Sequence, residues 1–332
     1  MDPLSQAFFG AAAATAISKK TELKKAFCCG IIAGLAADLD IFIKSNTDPL
    51  LGLEFHRHFT HSLFFIPFAA LLVAAFCFLF YRKDYKKLYL YSFVAYATHG
   101  FLDSCTSYGT MWLWPFYTSR IAFDNISIID PLFTLPIIIL TIFAVIKVKP
   151  KIAKYALIYA FGYLALGYLQ KLRVENFITN IAKEKQQVIE ALKLNPTLGN
   201  IVLWRSVYEV EGKYYVNAVR QPLFGEARIY QGKVIPKLNL NELLKNMPSD
   251  SKLTNDILRF HHFSQGFIYY NDQQKNIIAD LRYGTLPNNL DSLWGIEINK
   301  AQPDQHAKYL FLRNFNKEKI NIFKKMLLNK KL

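Results

Sequence analysis

The sequence predicts an α-helical multi-pass membrane unit of about six apolar helices over residues 1–170, followed by a soluble α+β domain over residues 171–332. Long apolar runs are confined to the first half, and positive charge clusters in alternate connections between them. Beyond residue 170 the pattern changes to amphipathic helical spacing and then to period-two alternation.

Taken in order, stretches 4–17 and 26–37 are short, because a spanning helix needs ~20 apolar residues; they read as a shallow or partly protein-buried hairpin. Residues 63–81 form the cleanest span, with no charge in 19 residues. Stretches 88–102, 126–146 (interrupted by Asp130 and prolines) and 152–169 complete the set. The connections after the first, third and fifth stretches hold 12 cations, from Lys19, Lys20, Lys24 and Lys25 through Arg82, Lys83, Lys86 and Lys87 to Lys147, Lys149, Lys151 and Lys154. Connections 44–59 and 103–125 hold Lys44, Arg57 and Arg120. If every stretch crosses, that asymmetry puts the last two connections and the C-terminal domain outside a bacterial inner membrane. The start, MDPLSQ, lacks the basic region of a cleavable signal.

In the second half, residues 170–194 carry a helical stripe of Val174, Ile178, Ile181, Val188 and Leu192, ended by Asn195-Pro196. A hairpin is expected from 201–205, 207–210 and 214–220 around Glu211-Gly212-Lys213, with further strands at 266–271, 277–283 and 294–298. Residues 311–328 read as a basic amphipathic helix. His261 and His262 fall in strand-like sequence, where neighbours point to opposite faces, and His306 reads as an isolated surface residue. The net charge of +15 comes with no base-reading motif, so nucleic acid is not expected as a partner; basic flanks suit membrane topology and anionic lipid. Cys28, Cys29, Cys77 and Cys105 match neither a zinc ribbon nor a disulfide framework.

The chemistry concentrates in the membrane half. Asp38-Leu39-Asp40 ends an apolar stretch, where ionised carboxylates are costly unless paired or metal-bound. His56-Arg57-His58-Phe59-Thr60-His61-Ser62 places three of the seven histidines within six residues. Imidazoles suit zinc, Thr60 and Ser62 can orient a ring or contact substrate, and Arg57 can clamp an anion. His99 and Asp103, at i and i+4, share a helix face and can grip one ion. Thr106-Ser107-Tyr108-Gly109 leads to Trp114-Pro115-Phe116, a turn with an aromatic platform. Asp130-Pro131 fits a ligand, a hydrogen bond to a broken helix end, or a cap. Mixed His and carboxylate donors favour zinc, manganese or iron, with zinc first. The candidate ligands are Asp38, Asp40, His56, His61, His99 and Asp103, enough for one or two divalent ions. Such a site predicts metal-assisted hydrolysis of an ester at the membrane surface, with Arg57, Thr60 and Ser62 as the catalytic candidates.

These motifs resemble the YdjM-like family of membrane-bound metal-dependent hydrolases. The matching elements are MDPLSQAFFGAAAA, GLAADLDIF, FHRHFTHSLFF, HGFLDSCTSYGTMWLWPF and FDNISIIDPLFTLP, within residues 1–137, and the tail is similar to that of the family's larger members. The resemblance implies that the six candidate ligands hold metal. The chain departs from the family pattern at His58, where glycine is common, and at Ser5-Gln6, where many members have Thr-His. A distant similarity of the family to zinc-dependent phospholipases C implies a phosphoester substrate, with membrane lipid as a partner. The competing expectation is a non-enzymatic membrane protein with a structural or sensory metal site and a partner-binding tail; a transporter is disfavoured by the lack of an inverted repeat.

Overall fold

Asp2 opens the first helix by accepting the Ser5 amide at 3.0 Å, with Pro3 in the first turn where its missing N–H costs nothing. The computed structural model describes residues 1–271 and 276–332, and these divide into two compact units. The first holds residues 1–42, 55–169 and 198–201; the second holds 43–54, 170–197 and 202–332.

The helices of the first half are α1 (Pro3–Ala16), α2 (Leu23–Ala36), α3 (Leu51–Phe55), α4 (Ile66–Tyr81), α5 (Tyr85–Cys105), α6 (Pro131–Ile146) and α7 (Pro150–Glu184). Three 3₁₀ turns, Lys20–Glu22, Ala37–Phe42 and Phe59–His61, interrupt them. Helices α1 and α2 cross at glycine: a Cβ on Gly30 would meet Ala11 Cα at 2.5 Å and the Gly10 carbonyl oxygen at 2.8 Å. Small residues on α1, α2, α4 and α5, among them Ala14, Ala33, Ala74 and Ala95, make one apolar core, and Phe9, Leu102, Phe133 and Ile137 anchor another.

The expected six spanning helices are not what forms. Among the described residues one helix, α7, is long and apolar enough to cross a membrane. A second qualifies only if Leu51–His61 and Ile66–Tyr81, bent by 86° to each other, count as one broken span. Helices α1 and α2 have 14 residues and α4 and α6 have 16, and at ~1.5 Å per residue none reaches ~30 Å. Helix α5 has 21 residues, but its tyrosines, His99 and Asp103 dilute its apolar character. Helices α1 and α2 thus pack on one another and on their neighbours, whereas α4 and α6 each keep an exposed apolar face. The assignment of connections 44–59 and 103–125 to the outer side required every stretch to cross, and it loses its basis with that count.

In the second unit, β1 (Ala191–Pro196), β2 (Leu203–Val210), β3 (Lys213–Arg220) and β4 (Arg228–Tyr230) pair antiparallel in that order, with β5 (Val234–Pro236) also on β3. Helices α8 (Leu240–Leu244) and α9 (Lys252–Phe263) precede a four-stranded antiparallel sheet of β6 (Ile268–Tyr270), β7 (Ile277–Asp280), β8 (Trp294–Glu297) and β9 (Lys308–Phe311). Helix α10 (Lys317–Leu327) follows. Val207, Val216, Tyr269 and Leu281 join the two sheets in a common core. The expected hairpin is β2–β3, turned by Glu211 and Gly212 with positive φ. The helix expected over 170–194 stops at Glu184: Gln186 turns left-handed, Val188 is exposed, and Leu192 belongs to a strand. His261 and His262 lie in α9, and His306 is half-buried with its Nδ1 2.9 Å from Asp256 Oδ2; neither matches the sequence expectation.

Gly30→Val should lower the melting temperature of the detergent-solubilised protein, since overpacking against backbone costs roughly 1–3 kcal/mol. Gly162→Ala, with nothing within 4 Å of the added Cβ, should leave it unchanged or raise it. Equal melting of the Gly30→Val variant and the parent would refute the tight crossing.

Candidate metal centre

Helix α5 carries His99 and Asp103 one turn apart on one buried face. The 3₁₀ turn after α2 supplies Asp38, and the turn before α4 supplies His61. Four atoms converge: Asp38 Oδ1, His61 Nε2, His99 Nε2 and Asp103 Oδ2. His61 Nε2 lies 3.5 Å from Asp38 Oδ1 and 3.2 Å from Asp103 Oδ2. His99 Nε2 lies 3.3 Å and 3.5 Å from the same two oxygens. None of the four atoms has a hydrogen-bond partner, although all are buried. Buried polar atoms are almost always hydrogen-bonded, so four unpartnered donors aimed at one point fit the ligand set of a cation. Ligand atoms of a tetrahedral zinc shell stand about 3.3 Å apart, close to the separations here.

The far sides of the imidazoles fix which nitrogen faces the centre. His99 Nδ1 donates to the Gly34 carbonyl at 2.6 Å, which leaves Nε2 as the lone-pair atom. His61 Nδ1 lies 3.2 Å from Asp40 Oδ2 and 3.0 Å from Thr60 Oγ1. The Thr60 hydroxyl donates to Asp40 at 2.9 Å and so accepts from His61. Asp40 is a hub: Oδ1 pairs with His56 Nδ1 at 2.8 Å, and Oδ2 also accepts the Arg57 amide at 2.8 Å. On Asp103, Oδ1 accepts from Gln6 at 2.8 Å and contacts the Met1 amino group, while Arg57 Nε stands 3.0 Å from Oδ2. Gly100 lets α5 approach the His61 turn, because a Cβ there would come within 2.4 Å of the His61 carbonyl oxygen.

Burial alone would discourage ionisation of Asp38 and Asp40. The imidazoles of His61 and His99 close beside it nevertheless hold Asp38 well below the usual carboxylate range, and those of His56 and His61 do the same for Asp40. Both carboxylates therefore stay charged through mildly acid pH and are neutralised only as pH falls below their ordinary values.

Of the six ligand candidates, four meet at one point, and Asp40 and His56 stand one step behind. Asp38, Asp40 and His56 also offer three atoms within 4.8 Å of one another, but both Asp40 oxygens are already engaged. Arg57 is buried with a left-handed φ of 63°; it donates to Thr106 Oγ1 at 2.9 Å and lies over the Tyr108 ring. Thr60 orients His61 through the Asp40 network. Ser62 donates to the Phe59 carbonyl at 2.8 Å, inside its own turn. His58 packs against Trp114. Asp130 caps α6, accepting the Leu132 and Phe133 amides and the Tyr163 hydroxyl, which selects the cap among its three readings. Sequence reasoning missed Gln6, the Gly34 carbonyl and Arg120, whose Nη2 donates to the His56 carbonyl at 2.7 Å. Gly34 and Gly100 carry no chemical signal; only their proximity in sequence to ligands could have flagged them.

Residues 1–174 match a family described as YdjM inner membrane protein. A Bacillus subtilis (strain 168) protein described as Uncharacterized protein YfhP is 27% identical over 188 residues. The aligned part is 54% of this chain and 54% of that relative, so the chain spans about half the length of the curated relative it matches. No solved structure matches the chain.

Alanine at Asp38, His61, His99 or Asp103 should each abolish retention of zinc by the purified protein, measured by elemental analysis. Asp40→Asn should weaken affinity about 10–100-fold, the usual cost of losing a carboxylate behind a ligating histidine. Gly100→Ala should also weaken it, by pushing the His61 turn away. Full zinc affinity in the Asp40→Asn variant would remove Asp40 from the orienting role.

Proposed function

The chain belongs to the YdjM inner membrane protein family, and we propose that it works there as a metal-dependent hydrolase of phosphoesters. The observation that carries the reading is the convergence of four buried, unpartnered donor atoms from Asp38, His61, His99 and Asp103. These residues would hold a divalent ion, zinc being the best fit to a two-imidazole, two-carboxylate set. When bound, such an ion supplies Lewis-acid polarisation and a lowered pKa for a coordinated water.

The chain's own residues supply the rest. Asp40 and the Gly34 carbonyl keep the imidazole Nε2 atoms directed at the centre. Arg57, held over Tyr108 and beside Asp103, places a guanidinium where an anionic phosphate would sit. Three of the four donor side chains are fully buried and that of Asp38 is 22% exposed, so water and substrate would approach past Asp38. In the net reaction water's oxygen bonds to phosphorus, the bond from phosphorus to the ester oxygen breaks, and one water proton ends on the departing alcohol.

One observation favours a second reading, a structural or sensory site in a non-enzymatic membrane protein: four protein donors equal the closed shell of a structural zinc. Elemental analysis combined with a screen of phosphodiesters separates the two. The hydrolytic reading expects bound zinc and turnover of bis(p-nitrophenyl) phosphate, both lost on chelation and restored by zinc, with Arg57→Ala lowering kcat/KM by about 10²-fold or more while zinc is retained. Stoichiometric zinc without turnover of any phosphoester would favour the structural site.

A further inference from the structure

We infer that the substrate reaches this centre from the bilayer as a phosphate-bearing glycerolipid. Its acyl chains would lie on an apolar rim of Leu39, Phe42, Phe64 and Phe116, and its phosphate would turn toward Asp38 and Arg57. The inference rests on the hydrolytic reading above and names its substrate class.

Asp38 is the one donor whose side chain keeps some exposure, and the chain leaving it is apolar where it is exposed: Leu39 is 61% and Phe42 is 73% accessible. A second piece of rim comes from the connection after α5. The Met111 amide donates to the Arg57 carbonyl at 3.0 Å, and the Leu63 amide donates to the Trp112 carbonyl at 2.9 Å. These bonds stitch the connection to the ligand-bearing turn and bring Phe116, 86% exposed, within 6.4 Å of the Phe64 ring. Phe64 in turn meets Phe68, so the rim continues onto the exposed apolar face of α4.

Aromatic side chains this exposed suit the boundary of a bilayer better than water. The turn of His61 is also the elbow of the bent pair Leu51–His61 and Ile66–Tyr81. A broken or re-entrant span keeps the irregular backbone of its elbow buried in protein or lining a site while its helical part meets lipid, so the ligand turn and the apolar face of α4 share one support. The cationic side chains beside the centre, the buried Arg57 and the half-buried Arg120, suit a phosphate headgroup. Arg57 and Arg120 both lie over Tyr108, at 4.9 and 4.7 Å from its ring centre, and Arg120 is tied to the ligand turn through the His56 carbonyl. A lipid is the ligand that presents an anion and a long apolar body together.

The test uses the full chain, zinc-loaded and reconstituted in nanodiscs containing phosphatidylglycerol, with bis(p-nitrophenyl) phosphate as the soluble comparison. A triple variant, Phe42→Ser, Phe64→Ser and Phe116→Ser, should lose about tenfold or more in phosphatidylglycerol turnover. It should keep its zinc and turn over the soluble diester within about twofold of the parent. Unchanged lipid turnover, or an equal loss on both substrates, overturns the inference. If the parent hydrolyses neither substrate, the hydrolytic reading fails by itself, and binding of a phosphonate lipid analogue then decides the lipid assignment. Rim-dependent binding of that analogue upholds the assignment; its absence, or binding that ignores the rim substitutions, ends it.

Discussion

The organisation of the helical unit depends on one electrostatic constraint. Asp38, Asp40 and Asp103 bring carboxylates into a bundle of apolar helices, where an uncompensated charge costs several kcal/mol. Arg57 offsets part of that charge beside Asp103, and hydrogen bonds absorb part of the rest at Asp40. What remains is the set of donor atoms without hydrogen-bond partners, gathered from three separate segments. The buried face of α5, the 3₁₀ turns that carry Asp38 and His61, and the close approach of α1 to α2 through glycine all serve to bring those segments together.

The donors are also held from behind. Asp40 ties His56, the Arg57 amide, Thr60 and His61 into one network, so residues spaced over one short motif act together through a carboxylate earlier in the chain. Gln6 and the Gly34 carbonyl do the same for Asp103 and His99 from the first two helices. Support of this kind lowers the reorganisation needed when an ion binds, because ring orientation and tautomer are set beforehand.

Much of the centre was legible from residue type. Asp38, His61, His99 and Asp103 stand out because ionisable groups at apolar helix ends demand a partner, and the i, i+4 spacing of His99 and Asp103 gives their common face directly. The division between Asp40 as orienter and Asp38 as donor was not legible, since two carboxylates with one residue between them look alike until their hydrogen bonds are known. The membrane architecture was read least well. Hydropathy reports that a stretch avoids water, but it does not distinguish lipid from other helices, and α1 and α2 meet each other instead. In the second unit the β2–β3 hairpin was plain from Glu211-Gly212, whereas β1 was hidden because Leu192 happened to continue the helical stripe of α7.

Between His99 and Asp103 lies Gly100, which brings no functional group to the centre. The absent side chain is nonetheless what determines how near the opposing imidazole can stand, since the His61 backbone rests where a Cβ would be. The gauge of the centre is thus a contact between two main chains, a stiffer reference than any pair of rotating side chains. The distance from His61 to the two donors of α5 is consequently set by the backbone of α5 as much as by the side chains themselves.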